Sequence, residues 1–143
     1  DTKIKLLVFI HSFPFHQKEH IKRNADVSLV RNRKAAKIAG RRLKEALHCL
    51  RNQLNDKFYD EILKALWGYL SDKLSIPLSE LARNTAVESL KERGIPEESI
   101  NDLTRILDAC EFARFAPASA GTEMEKIYAE TSKFIRTVEN IKG

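Results

Sequence analysis

The sequence predicts an all-α domain: a five-helix antiparallel bundle, or an array of helical hairpins, behind a loose amino-terminal segment. Three observations predict it. From Ala35 to Val138, apolar side chains recur every three or four positions, the spacing that lines one face of a helix. Only five Gly and four Pro interrupt the 143 residues, so long stretches carry no backbone breaker. Capping residues before the apolar runs, and Gly or Pro after them, divide the periodic region into five segments. No repeat relates the helix pairs, which argues against a solenoid. With 43% hydrophobic and 31% charged residues the chain has the composition of a globular protein, and its length is that of one domain.

Residues 1–25 show no helical period. Leu6–Ile10 continues through Phe13 and Phe15 as an apolar stretch, but Lys5, His11, Ser12 and Pro14 interrupt it. A spanning helix needs about 20 apolar residues, so this stretch alone does not cross a bilayer. The expected division is an apolar, irregular, membrane-proximal segment over 1–20 and a single helical domain over 21–143.

The first helix is expected from Asp26 to Gln53, with Asp26 or Ser28 as N-cap. Its apolar face reads Ala35, Ala39, Leu43, Ala46, Leu47 and Leu50, and opposite lie Arg33, Lys34, Lys37, Arg41 and Lys44. Asn55 or Asp56 caps a second helix reaching Leu74. Its apolar residues, from Phe58 and Ile62 through Leu63, Leu66, Trp67, Tyr69 and Leu70, cover more than half its circumference. A helix apolar over so wide an arc touches several neighbours, which places it at the centre of the bundle. Ser75-Ile76-Pro77 breaks it, because the residue before a proline avoids helical geometry.

Ser79–Ala82 suits one short turn. Thr85-Ala-Val-Glu88 has the form of a capping box opening a third helix, which Gly94 ends. Pro96-Glu97-Glu98 opens a fourth, with carboxylates near the positive end of the helix dipole. Its buried face is Ile100, Leu103, Ile106, Leu107, Cys110 and Ala113, and Pro117 stops it. Thr122-Glu-Met-Glu125, a second capping box, opens the fifth, whose stripe is Met124, Ile127, Tyr128, Thr131, Phe134, Ile135 and Val138.

Chemistry is sparse. His16-Gln-Lys-Glu-His20 matches H-x-x-E-H, in which two imidazoles four apart hold zinc while the glutamate activates water. It follows Pro14 with no preceding structure to orient the ligands, and a third ligand must come from elsewhere, so a zinc hydrolase is the remote reading. His48 and Cys49 adjoin on the first helix, one expected toward solvent and the other toward the core. Cys49 and Cys110 read as two buried thiols and not a disulfide. Glycine-rich phosphate loops, paired-cysteine motifs and serine elbows are absent from the sequence. The expectation is therefore a non-catalytic protein with no cofactor and no metal.

Charge is more informative. The net +5 is concentrated in residues 17–44, where ten Lys/Arg face only Glu19 and Asp26, a local +8. A solvated face is the plain reading of Arg33, Lys34, Lys37, Arg41 and Lys44. Contact with anionic lipid headgroups is the second, because such clusters beside an apolar run flank spanning segments on the cytoplasmic side. Nucleic-acid binding is the third, and it is disfavoured: residues 21–57 hold no aromatic side chain to stack on a base. On the fourth helix Phe112 falls opposite Leu103, and Phe115 projects sideways with Arg114 between them. Cover by another helix is the first reading of Phe112, Arg114 and Phe115, and an exposed patch that binds a partner is the second.

The stretch Phe58-Tyr-Asp-Glu-Ile-Leu-Lys-Ala-Leu-Trp-Gly-Tyr-Leu-Ser-Asp-Lys-Leu-Ser-Ile-Pro-Leu-Ser-Glu-Leu81 resembles the cytoplasmic carboxy-terminal region of the BatD family of aerotolerance proteins. So do Asn24-Ala-Asp-Val27, Arg31-Asn-Arg-Lys-Ala-Ala-Lys37 and Cys110-Glu-Phe-Ala-Arg-Phe-Ala-Pro117, the likeness spanning roughly residues 21–143. It departs at residues 1–20, where His11, Pro14 and His16 replace the expected spanning helix. The resemblance implies a helical interaction domain on the cytoplasmic face of the inner membrane, part of a longer protein linked to envelope integrity and stress tolerance. Its implied partners are a MoxR-type ATPase and membrane proteins with von Willebrand factor A-type domains. It implies no catalytic residue.

Overall fold

The computed structural model describes the backbone of residues 14–113 and 121–141, and the side chains of residues 32–113 and 123–141. Among the described residues five α-helices follow one another: α1 (Pro14–Arg51), α2 (Asn55–Leu74), α3 (Arg83–Glu92), α4 (Glu97–Ala113) and α5 (Gly121–Asn140), with a 3₁₀ turn at Leu78–Glu80 between α2 and α3. The all-α class is as the periodicity predicts.

The first helix is longer than expected. It begins at Pro14 and runs through Asp26 and Ser28, so neither of these caps it, and no break separates residues 14–20 from the rest. Proline is favoured in a first turn, where its missing N–H has no partner to lose. Between Phe15 and Gly40 no breaker follows.

α1 and α2 form an antiparallel hairpin and the largest interface of the molecule. The Nδ2 of Asn32 donates to the carbonyl of Lys73 at 2.6 Å, which ties α1 to the last turn of α2. At the other end α1 closes in a Schellman motif, with Leu54 N–H donating to Cys49 O (2.9 Å) and Gln53 N–H to Leu50 O (3.2 Å). Gln53 stands at φ 55 and Ser75, after α2, at φ 57. Neither is glycine, so both are left-handed stops that composition does not announce. Gly94, at φ 82, closes α3 as expected, with Ile95 N–H on Leu90 O (3.1 Å) and Gly94 N–H on Lys91 O (3.0 Å).

Two expected side-chain caps are not formed. Leu54, not Asn55 or Asp56, is the N-cap of α2, with no side-chain bond. α3 starts at Arg83 with Ala82 as N-cap, two residues ahead of the Thr85–Glu88 box. Backbone geometry alone starts these helices because the preceding turns already orient the chain. α5 likewise begins at Gly121, one residue before Thr122.

α2 touches every other helix. Phe58, Ile62, Ala65, Leu66 and Leu70 are wholly buried, and Phe58 meets the Tyr59 ring edge to face at 5.1 Å between centroids. Against them α1 lays the small residues Ala35, Ala39 and Ala46, letting the two backbones approach. α4 and α5 complete the core with Leu103, Ile106, Leu107, Met124, Ile127 and Phe134. The buried Thr131 hydroxyl donates to Ile127 O at 2.8 Å, so it leaves no unsatisfied group. Cys49 and Cys110 are both buried and not joined in a disulfide, whereas His48 faces solvent.

Candidate interaction surfaces

Placement of the α1 cations follows from helix geometry. With Ala35, Ala39 and Ala46 turned into α2, residues 33, 34, 37, 41 and 44 fall within an arc of roughly 100° on the far side. The side chains of Arg33, Lys34, Lys37, Arg41 and Lys44 are all exposed. Among the described residues no ion pair engages them. The carboxylates that do pair hold the bundle together elsewhere. Arg83 bridges α3 to α4 through Asp108 (2.8 Å) and Glu111 (3.2 Å), and Arg105 of α4 reaches Glu130 of α5 at 3.4 Å while also pairing with Asp102.

Phe112 is 71% exposed, the most open large apolar residue among those described. No described helix covers it. Arg114 and Phe115, expected beside it, lie outside the described residues. The side chains of His16 and His20 do too, although both positions are within α1. Among the described residues no group of three or more His, Cys, Asp or Glu could hold a metal ion. Among the same residues no helix is long and apolar enough to cross a membrane.

One surface was not singled out by sequence reasoning. Asp60, Leu63, Lys64 and Trp67 recur at three- and four-residue spacing and make a stripe on the face of α2 turned away from its buried side. Leu63 and Trp67 are only half-buried, and Leu78 from the 3₁₀ turn, 61% exposed, stands beside them. These residues, with Arg42 and Gly68, line a groove of about 510 Å³. Arg42 lies across α2 at Gly68: a Cβ at that position would fall 1.7 Å from its Nη1. Its only hydrogen bond among the described residues is a long one, from Nη1 to Lys64 O at 3.5 Å. The available signal was the wide apolar arc of α2, two of whose members the fold leaves partly uncovered.

Two perturbed groups are structural. Burial, reinforced by Glu61, pushes the Cys49 thiol above its usual range, so it stays protonated and inert at neutral pH. Burial also pushes the Tyr69 phenol well above the ordinary tyrosine range, aided by its hydrogen bond to Glu139 at 2.5 Å. Glu139 pairs in turn with Lys73 at 3.0 Å, a small network that ties α5 to the carboxy-terminal end of α2.

Comparison of the chain with protein-family models, with curated proteins and with solved structures finds no match.

Proposed function

We propose that this chain is a non-catalytic protein-interaction domain at the cytoplasmic face of a membrane-anchored, BatD-like protein, docked against anionic lipid through α1. One observation carries the reading: five cations stand exposed on one side of α1, opposite the row of alanines buried against α2. Each cation close to an anionic bilayer contributes about 1 kcal/mol. The local +8 of residues 17–44 follows an apolar run, the order found on the cytoplasmic side of spanning segments. The exposed Phe112 offers an apolar contact for a protein partner, with Arg114 and Phe115 adjacent in sequence. Under the BatD resemblance the partners are a MoxR-type ATPase and membrane proteins with von Willebrand factor A-type domains, and the role belongs to envelope stress tolerance.

The test is sedimentation of the chain with phosphatidylglycerol and with phosphatidylcholine vesicles. Binding is expected to the anionic vesicles alone, and Arg33→Glu, Lys37→Glu and Arg41→Glu together weaken it roughly a hundred-fold. Equal binding by the triple variant removes the lipid role. Salt-sensitive retention of a DNA duplex in place of vesicle binding would transfer the cationic row to nucleic acid. Capture of the membrane-anchored parent from detergent-solubilised membranes addresses the partners. Recovery of a MoxR-type ATPase supports the BatD-like reading, and its consistent absence counts against it.

A further inference from the structure

The outward stripe of α2 breaks the rule that a helix turns polar residues to solvent. Leu63 and Trp67 sit one turn apart on it, and Leu78 adds a third apolar side chain that is mostly exposed. Leu63 and Trp67 pack in part against the core, yet among the described residues each keeps an open edge on the groove, and Leu78 is mostly open. Their spacing is that of the anchors by which one helix receives another.

The rim indicates what kind of helix fits. Arg42 is held over Gly68, where the missing side chain lets the guanidinium lie close to the α2 backbone. Among the described residues it has no carboxylate partner, only the long bond to Lys64 O, so most of its donors are unengaged at the groove it lines. Lys64 adds a second cation, 69% exposed and 3.5 Å from Glu61. Asp60 stands at the other end of the stripe and supplies an acceptor. An acyl chain would leave the Arg42 guanidinium without a carboxylate, and an anion alone would leave Trp67 and Leu78 uncovered. A peptide carrying both carboxylates and apolar side chains satisfies each.

We infer that the groove formed by Leu63, Trp67 and Leu78 beneath Arg42 receives an acidic amphipathic helix of a partner protein, with a partner carboxylate on the Arg42 guanidinium. The inference rests on the reading of this chain as a protein-interaction domain and not on its lipid face. It is a second surface, separate from the α1 cation row and from Phe112.

Trp67 is the sole tryptophan of the chain, so its emission reports directly on the groove. The probe is a synthetic helical peptide with leucine at every third or fourth position and glutamate elsewhere, compared with the same peptide carrying lysine for glutamate. The glutamate peptide is expected to shift Trp67 emission to the blue, saturably, and to bind about ten-fold or more tightly than its lysine counterpart. Arg42→Ala should abolish most of that preference, and Leu78→Ser should weaken both peptides. Both side chains are exposed, and unchanged circular dichroism verifies that the variants fold. Absence of any shift, or equal binding by wild type and both variants, overturns the proposal. A shift produced by vesicles without peptide assigns the groove to an acyl chain, and one produced by protein concentration alone assigns it to a second copy; each overturns it too. A peptide-induced shift in a chain that ignores anionic vesicles upholds the groove and removes only the lipid role. Vesicle binding with no peptide-induced shift does the reverse.

Discussion

Helices α1 and α2 share one interface, yet α1 brings alanines to it and α2 brings Phe58, Ile62, Leu66 and Leu70. The far side of α1 is a row of cations, whereas the far side of α2 keeps Leu63 and Trp67 beside Asp60 and Lys64. The difference teaches where stability and recognition reside. Large side chains of α2, reached from every other helix, carry the core. Small side chains of α1 set the distance at which the backbones meet and leave its long polar face free for surface chemistry.

Truncating the large partner tests that division most severely. Phe58→Ala, at a wholly buried site, is expected to cost about 3–5 kcal/mol in chemical denaturation. A loss below about 1 kcal/mol would mean that α2 does not organise the core. Enlarging the small partner probes the same contact from the other side: Ala46→Leu should cost about 1–3 kcal/mol by forcing α1 away from α2.

The α2–α5 network gives a pH signature. Tyr69→Phe removes the bond to Glu139 and should cost about 1 kcal/mol at neutral pH. The folded phenol titrates above its unfolded value, so its contribution is complete below about pH 10 and declines as pH rises beyond it. The stability gap between wild type and Tyr69→Phe should therefore narrow in alkaline denaturation, and a constant gap would contradict the burial of this hydroxyl. The smallest effect belongs to the surface. Arg83→Ala breaks two ion pairs whose carboxylates are mostly exposed, and about 0.5 kcal/mol is expected from urea titration.

Legibility in the sequence followed the range of the interaction. The central position of α2 was readable because its apolar arc is a property of twenty consecutive residues, and the Gly94 stop because glycine followed by Ile95 and Pro96 is a local signal. The start of α1 was not, since residues 14–31 show no apolar period by which to recognise a helix. The left-handed stops at Gln53 and Ser75 were hidden for the opposite reason: the residue types say nothing, and the turn is imposed by the packing of the helices on either side. Among the site residues, exposure of Arg33, Lys34, Lys37, Arg41 and Lys44 was foreseen from their position opposite the alanines. Exposure of Phe112 went against the first expectation, cover by another helix, because periodicity names the face of a helix and not what lies across from it.

By itself the sequence determined the all-α class, most of the buried positions of α1, α2, α4 and α5, and the side of α1 on which positive charge collects. These depend on spacing along one strand of chain, and 3.6 residues per turn converts spacing into direction. Tertiary structure alone decided that Arg42 lies over Gly68, that Leu63 and Trp67 are only partly covered, and that Tyr69 meets Glu139. Each of those joins residues from different helices, and their meeting is fixed by how closely the alanines of α1 allow the hairpin to pack and by which neighbours then fit around it.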